Sequence, residues 1–303
     1  MSIALHKSKQ FFAPLIKMCI IALCVYLLYH QWLERPLSLS TLSDLIKKLP
    51  WWTLPTLLLL SIGSWMIESK KWQFLIKDFY KLRFRESVLQ NLTAQAASFI
   101  TPFRAGEFAL KSTFFKKELR KKILSRILAG NIAQMVITST LGICGVVFYI
   151  KNQSSDSIFL LIFCSALICV LVFTIYLWIS KKWQSDILNT QQWIKILMYS
   201  LLRYLIFASN WLIVLVLLDY EASLFIIMRN ITIYYLLVSI IPVIQIFDIA
   251  LKWTVASYIF NGSLYNAESI LFATTIIWIT NSIFPTVLGC AILPFQKLKI
   301  ATS

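Results

Sequence analysis

Apolar residues along this chain gather into long blocks that are separated by short polar or basic stretches. A helix needs about 20 predominantly apolar residues to cross a bilayer. The blocks therefore predict six full transmembrane helices, at about 11–29, 52–68, 123–150, 158–180, 196–218 and 269–293.

Two further segments, about 86–115 and 224–260, are apolar over much of their length but contain charged residues and proline. The spans before and after each segment keep their predicted orientation only if the segment returns to the side of the membrane from which it starts. We therefore predict an all-α polytopic membrane protein, a single transmembrane domain over 1–303, with six full spans and two opposed re-entrant hairpins. Eight full spans stay open as the alternative, because 222–260 is long enough to cross twice.

Composition supports a membrane protein. Hydrophobic residues make up 59% of the 303 residues and charged residues 14%, whereas soluble globular chains hold about 45–50% and about 25%. These values exclude a soluble enzyme and a disordered chain. The net charge of +16 fits the excess of lysine and arginine on the cytoplasmic side of membrane proteins and contact with anionic lipid. No nucleic-acid partner is expected.

Lysine and arginine are distributed unevenly between the two sides of the predicted topology. The N-terminus, 69–122, 181–195 and the C-terminal tail together hold 20 of them, and the connections on the opposite side hold 4. Because cytoplasmic loops carry the excess of basic residues, both termini are predicted to be cytoplasmic, in a multi-pass protein of the cytoplasmic (inner) membrane.

Residue patterns that bind metals or carry out catalysis are scarce. His6 and His30 are the two histidines, and the six cysteines lie in apolar runs without a CxxC pair. The chain also lacks a nucleotide-binding glycine motif and a serine nucleophile elbow. We therefore expect no metal, no cofactor and no catalytic residue.

Two segments of the chain align without gaps. Residues 98–113, SFITPFRAGEFALKST, match residues 239–254, SIIPVIQIFDIALKWT, at the first serine, at an acid and at an Ala-Leu-Lys run. The first segment lies in a predicted cytoplasmic connection and the second in an outward-facing one. Related segments that enter from opposite sides are typical of an inverted-topology repeat, here with halves of about 1–150 and 151–303.

Each segment carries three polar residues at spacings of three and four, which places them on one face of a helix. At bilayer depth a charge costs about 2.5–3.5 kcal/mol, more than the roughly 0.2–0.5 kcal/mol that an acid–base pair on a helix contributes. The pattern therefore favours a solvated cavity that binds a lipid headgroup, with a buried ion pair locking two helices as the alternative. The predicted headgroup-binding residues are Arg104, Glu107, Lys111, Gln245, Asp248 and Lys252.

Pro102 and Pro242 stand near the tips of the two hairpins, where each would end one helix and begin another. The N-terminus of such a half-helix presents free N–H groups and the positive end of its dipole, which is an anion site. Arg104 reinforces the first tip, whereas Gln245 replaces the basic residue in the second. The expected ligand is a membrane lipid with a phosphate headgroup.

Other basic residues lie inside apolar spans or near their ends. For Arg126, extension of the side chain to a lipid headgroup at the membrane surface is an equal alternative to a place in the cavity wall. Lys70, Lys71 and Trp72 form a basic and aromatic group that we interpret as an interface anchor. The candidates for the cavity wall are Arg126, Arg203 and Arg229.

The stretch ITPFRAGEFALKSTFFKKELRKKI, followed by GNIAQMVITSTLGICG, resembles the integral membrane family named for the membrane region of lysylphosphatidylglycerol synthase, which is flippase-like. The family's first motif, Pro-x-Arg-x-Gly-Glu with a base a turn later, is matched by Pro102, Arg104, Gly106, Glu107 and Lys111. Within this motif, Lys111 stands where relatives usually have arginine. The second motif, a proline before a helix with an acid and an arginine, is matched with both residue types altered by Pro242, Asp248 and Lys252.

The resemblance spans roughly residues 50–295 and implies a lipid-translocating or lipid-handling role. The leading hypothesis is a flippase, not an enzyme, that moves a phospholipid, an aminoacyl-lipid or a polyprenyl-phosphate-linked lipid. Arg104 would hold phosphate, and Glu107 and Asp248 would balance charge or carry a coupling proton. A membrane-embedded transferase on a lipid-linked substrate, a non-transporting subunit of an envelope assembly, and a homo-oligomer all stay open.

Overall fold

The computed structural model describes residues 39–101, 104–150, 188–241, 245–260 and 267–296, together with Tyr26. All regular structure within these ranges is helical, and they contain no strand. The predicted all-α class is therefore confirmed for the described residues. Apart from Tyr26, the predicted spans at 11–29 and 158–180 lie outside the described residues, as do Pro102 and Pro242.

The described helices are α1 (Leu39–Lys48), α2 (Thr53–Ile76), α3 (Phe84–Phe99), α4 (Ala105–Thr113), α5 (Arg120–Ile150), α6 (Thr190–Leu217), α7 (Leu224–Ile240), α8 (Asp248–Phe260), α9 (Ala267–Trp278) and α10 (Phe284–Ile292). A π-helical segment, Ile279–Ile283, joins α9 to α10 without a break. Single 3₁₀ turns precede α5 and α8 and follow α10, at Lys117–Leu119, Gln245–Phe247 and Leu293–Phe295.

Several of these helices are suited to cross a membrane. α2 covers the predicted span at 52–68, but it continues to Ile76 and carries three charged residues in its second half. Three other stretches are long and apolar enough to cross by length and composition, and each covers a predicted span: Lys117–Ile150, Thr190–Leu217 and Glu268–Phe295.

The two segments predicted as hairpins each contain a pair of helices that pack together, α3 with α4 and α7 with α8. α4 has 9 residues, about 14 Å at 1.5 Å per residue, which is less than half of the roughly 30 Å hydrocarbon core. Gly106 allows the tight approach of α3 and α4, because a Cβ there would collide with the Ala97 carbonyl. The Gly106 N–H also donates to Thr101 Oγ1 at 2.8 Å.

The two halves of the chain exchange partners across the molecule. α3 of the first half packs against α10 of the second, α7 of the second half packs against α5 of the first, and α2 packs against α6. Glycine permits both close crossings, since a Cβ on Gly289 would meet the Leu92 carbonyl and one on Gly142 would meet Leu236. The twofold relation predicted between the halves stays a prediction, and reciprocal pairing of this kind is what it would produce.

Two apolar cores hold these helices together. In the first, the Trp211 ring of α6 stacks on Phe260 of α8 with centroids 5.0 Å apart, and Tyr234 of α7 packs edge-on against Trp211. The second core joins α2 to α5 around Trp72 and Ile123. Because these cores fix α2, α6, α7 and α8, the polar side chains between them have defined positions.

Candidate functional site

A cavity of about 180 Å³ lies where the two hairpin segments meet. It is lined by Arg104 from the first segment, by Gln245 and Lys252 from the second, and by Arg203 from α6. The segments touch directly, because the Ser98 hydroxyl donates to Gln245 Oε1 at 3.3 Å. Residues predicted from two distant stretches of sequence thus share one cavity.

The first segment contributes a cluster of two cations on one carboxylate. Lys111 Nζ lies 2.8 Å and Arg104 Nη2 3.1 Å from the two oxygens of Glu107. Glu107 and Lys111 are buried, and Lys111 lies 4.6 Å from the Trp72 ring centroid in a cation–π contact. The Arg104 side chain is 47% exposed and reaches the cavity wall, whereas Lys111 is behind it and does not line the cavity.

Arg104 holds this position with an uncommon backbone conformation. Its φ is 55°, in the left-handed region, immediately before α4 begins. For a residue other than glycine this conformation costs on the order of 1–3 kcal/mol. Arg104 lines the cavity from this position, while Glu107 and Lys111 follow on the buried face of α4.

A second cluster with the same composition also borders the cavity. Lys71 Nζ and Arg203 Nη1 each lie 2.7 Å from Glu68 Oε2, and Arg203 Nε donates to Ser64 Oγ at 3.2 Å. All four residues are buried. Arg203 also lies over the Trp65 ring, 5.1 Å from its centroid. Arg203 lines the cavity and Lys71 does not.

The second hairpin segment holds a balanced pair in place of a three-residue cluster. Lys252 Nζ lies 2.6 Å from Asp248 Oδ2, one helical turn away on α8. Lys252 lines the cavity, and Asp248 stays behind it. The cavity wall therefore presents two guanidinium groups and one ammonium group, which are chemically suited to bind an anion.

The π-helical segment between α9 and α10 supplies further polar groups. Asn281 and Ser282 lie within it and line the cavity, and such π segments often occur at functional sites. The indole N–H of Trp278, next to the segment, is buried without a hydrogen-bond partner among the described residues, as is that of Trp65. Asn210 Nδ2 donates to Asn281 Oδ1 at 3.3 Å.

Two of the predicted supporting arginines lie apart from the cavity. Arg126 is buried on α5, 3.5 Å from Asp78 and over the Phe79 ring. Arg229 donates to Asn230 Oδ1 and lies over the Tyr149 ring. Neither lines the cavity. Among the described residues, no group of three or more histidine, cysteine, aspartate or glutamate side chains is able to hold a metal.

Glu68 and Lys71 were not predicted as site residues, although they form the second cluster with Arg203. The interface-anchor prediction was wrong for Lys71 and Trp72, whose exposed fractions are 2% and 1%, and Trp72 Nε1 donates to Gln90 Oε1 at 2.9 Å. The sequence does contain a pattern that indicates them. Ser64, Glu68 and Lys71 are spaced by four and three residues, so these polar side chains share one face of α2.

Comparison with known proteins places the chain in a family. The family model described as "Lysylphosphatidylglycerol synthase TM region" matches residues 15–190, more than half of the chain. The matched part contains Glu68, Arg104, Glu107 and Lys111 and ends as α6 begins. No curated protein matches the chain. The chain therefore belongs to the lysylphosphatidylglycerol synthase TM region family, as an integral membrane protein with a function related to membrane lipids.

Proposed function

We propose that this protein moves a phosphate-bearing lipid across the cytoplasmic membrane, with the headgroup bound in the cavity between the two hairpins. The observation that carries the proposal is that Arg104 of the first segment, Lys252 of the second and Arg203 of α6 line one cavity. Charges within a membrane protein usually mark the path of a substrate or an ion. Both termini face the cytoplasm in this proposal.

The packing supports movement of one half against the other. In transporters built from inverted repeats, the site lies between the halves and is reached from either side as they rock. Here the two segments contact each other at Ser98 and Gln245. A headgroup held at this contact would stay bound while access changes from one face to the other.

The cavity wall favours transport over group transfer. A transferase needs a base near the reacting hydroxyl or amine. The described residues that line the cavity include no aspartate or glutamate, and Glu68, Glu107 and Asp248 each contact a cation that does line it. This arrangement suits binding and release of an anion.

Reconstitution in proteoliposomes tests the proposal. Wild-type protein should move a fluorescent phosphatidylglycerol between leaflets without any donor substrate. Group transfer without movement would instead identify a transferase, and neither activity would identify a non-transporting subunit.

A pair of arginine variants makes this assay specific for the cavity. Arg203→Gln removes a guanidinium from the cavity wall, while Lys71 still neutralises Glu68, so we expect at least about a tenfold loss of lipid movement. Arg229→Gln removes a guanidinium that does not line the cavity and should leave the rate unchanged. Equal rates in both variants would contradict the proposed path.

A further inference from the structure

Glu68 and Glu107 are arranged alike around the cavity. Each carboxylate holds one arginine that lines the cavity and one lysine that does not: Arg203 with Lys71 on Glu68, and Arg104 with Lys111 on Glu107. The distances lie between 2.7 and 3.1 Å. The two lysines are among the most buried charged residues of the described part of the chain.

This arrangement allows each arginine to change partner. A buried carboxylate that loses its only counter-charge is strongly destabilised. Here Lys71 stays on Glu68 when Arg203 turns to a ligand, and Lys111 stays on Glu107 when Arg104 does so. The lysines are thus positioning residues that leave the arginines available to an incoming anion.

The charge of the two clusters is unbalanced. Four cations face two carboxylates, a net charge of +2, while the Lys252–Asp248 pair is neutral. Lys71, Lys111 and Arg203 are buried, and buried charge without a counter-charge is costly. A ligand phosphate would supply the missing negative charge from within the cavity.

The hydrogen-bonding groups of the wall point to the same ligand. The indole N–H groups of Trp65 and Trp278, which only donate, are buried without partners among the described residues. Phosphate oxygens only accept hydrogen bonds, so they satisfy such donors. A headgroup ammonium carries a positive charge, and the described wall offers it the amide oxygens of Gln95, Gln245 and Asn281 but no carboxylate to balance that charge.

We infer that the cavity selects a lipid whose headgroup carries phosphate but no cationic group, with Lys71 and Lys111 as the positioning residues for the arginines that bind it. The inference deepens the proposed function and names its substrate class. Binding is measurable without transport, so the two claims are separable.

The first test measures headgroup selectivity on the full chain in detergent by native mass spectrometry. The probes are didecanoyl-phosphatidylglycerol and didecanoyl-phosphatidylethanolamine, which share their chains and phosphate and differ in the ammonium group. We expect the glycerol lipid to bind at least about tenfold more tightly, a difference of about 1.4 kcal/mol. Equal binding, or tighter binding of the ethanolamine lipid, would overturn the inference.

Glycerol phosphate serves as the soluble competitor in the same experiment. A lipid ligand is supported when glycerol phosphate displaces phosphatidylglycerol only at much higher concentration. Displacement at equal concentration would overturn the assignment to a lipid, because a free phosphate ester would then be the better description of the ligand.

The second test changes the charge of the wall at Gln95, which is buried and lines the cavity. Gln95→Glu keeps the side-chain shape and lowers the net charge to +1, so affinity for phosphatidylglycerol should fall about tenfold and the preference over phosphatidylethanolamine should narrow. Gln134→Glu on α5, away from the cavity wall, is the matched control and should change neither. An unchanged preference in folded Gln95→Glu would overturn the inference.

A third variant tests the indole donors without changing charge. Trp65→Phe keeps a ring for Arg203 to lie over and removes the N–H, so phosphatidylglycerol affinity should fall several-fold while folding is retained. Unchanged affinity would overturn the assignment of the indole N–H groups as phosphate donors. Lipid movement in proteoliposomes separates the two claims: movement of both lipids at equal rates contradicts only the selectivity, and selective binding without movement contradicts only transport.

Discussion

Lys111 and Arg104 share the carboxylate of Glu107, but their surroundings differ. Lys111 is held between Glu107 and the face of Trp72, whereas Arg104 has half of its side chain exposed and a left-handed backbone. Strained backbone in native proteins tends to occur at functional sites. At this position the strain places a guanidinium at the cavity wall, where a strain-free helical residue would face elsewhere.

Substitutions at Lys111 and at Glu107 test the role of this shared carboxylate. In Lys111→Ala, Glu107 keeps Arg104 as its only partner, so Arg104 is no longer available to phosphate and lipid movement should be lost in a folded protein. Glu107→Gln removes the carboxylate that fixes the positions of Arg104 and Lys111, so movement should also be lost, with a lower unfolding temperature because a broken buried pair costs about 3–5 kcal/mol. Lipid movement in proteoliposomes and thermal unfolding in detergent measure the two effects.

Full lipid movement in both variants would contradict a binding role. The polar stripe of α4 would then be the structural ion pair that the sequence left open as the alternative. Lys47→Ala on α1 removes an exposed ion pair with Asp44 and is the control, with no change expected in movement or in unfolding temperature.

At the scale of elements, α4 is short and depends on α3 for its position. Gly106 brings the two helices together with no space for a side chain, and its N–H is bound by Thr101. α10 approaches α3 in the same manner at Gly289. α3 is therefore approached closely by two helices, by α4 near its C-terminal end and by α10 at Leu92.

Gly106→Ala should separate α3 from α4. The added Cβ would overlap the Ala97 carbonyl, and overpacking of this kind destabilises by about 1–3 kcal/mol, so the unfolding temperature and lipid movement should both fall. Gly63→Ala on α2 is the matched control, because its Cβ would lie 3.9 Å from Ile206 Cδ1, an ordinary contact. A fall of similar size in both variants would show that helix packing at the tip has no special role.

At the scale of the whole molecule, the contact between the two predicted hairpin segments joins distant parts of the chain. Ser98 and Gln245 are 147 residues apart in sequence and are linked by a hydrogen bond. α2 and α6 pack along the same division. Any change of access from one face to the other has to alter this contact.

A reversible cross-link tests whether the contact between Ser98 and Gln245 has to change during lipid movement. In a background without the native cysteines, the pair Ser98→Cys and Gln245→Cys should form a disulfide under mild oxidation, stop lipid movement, and recover it after reduction. Each single variant, treated in the same way, is the control and should stay active. A disulfide that forms without effect on movement would show that the halves need not separate at this point.

The local part of the site was predictable from sequence. Arg104, Glu107 and Lys111 follow helical spacing, so a charged face in an apolar segment indicates their proximity without a structure. The same holds for Asp248 and Lys252, which pair one turn apart. Arg126 looked equivalent in sequence, but its partner Asp78 lies 48 residues away, so its separation from the cavity was not predictable.

The sequence by itself determined the class of protein, the described spans and the two polar stripes, because hydrophobic length and helical period are properties of neighbouring residues. Only the tertiary structure decided which cations share a cavity. The Glu68–Arg203 pair joins residues 135 positions apart, and the π-helical segment accepts a hydrogen bond at the Thr280 carbonyl from Ser61 of α2. Such contacts depend on how whole helices cross, and no local pattern records that.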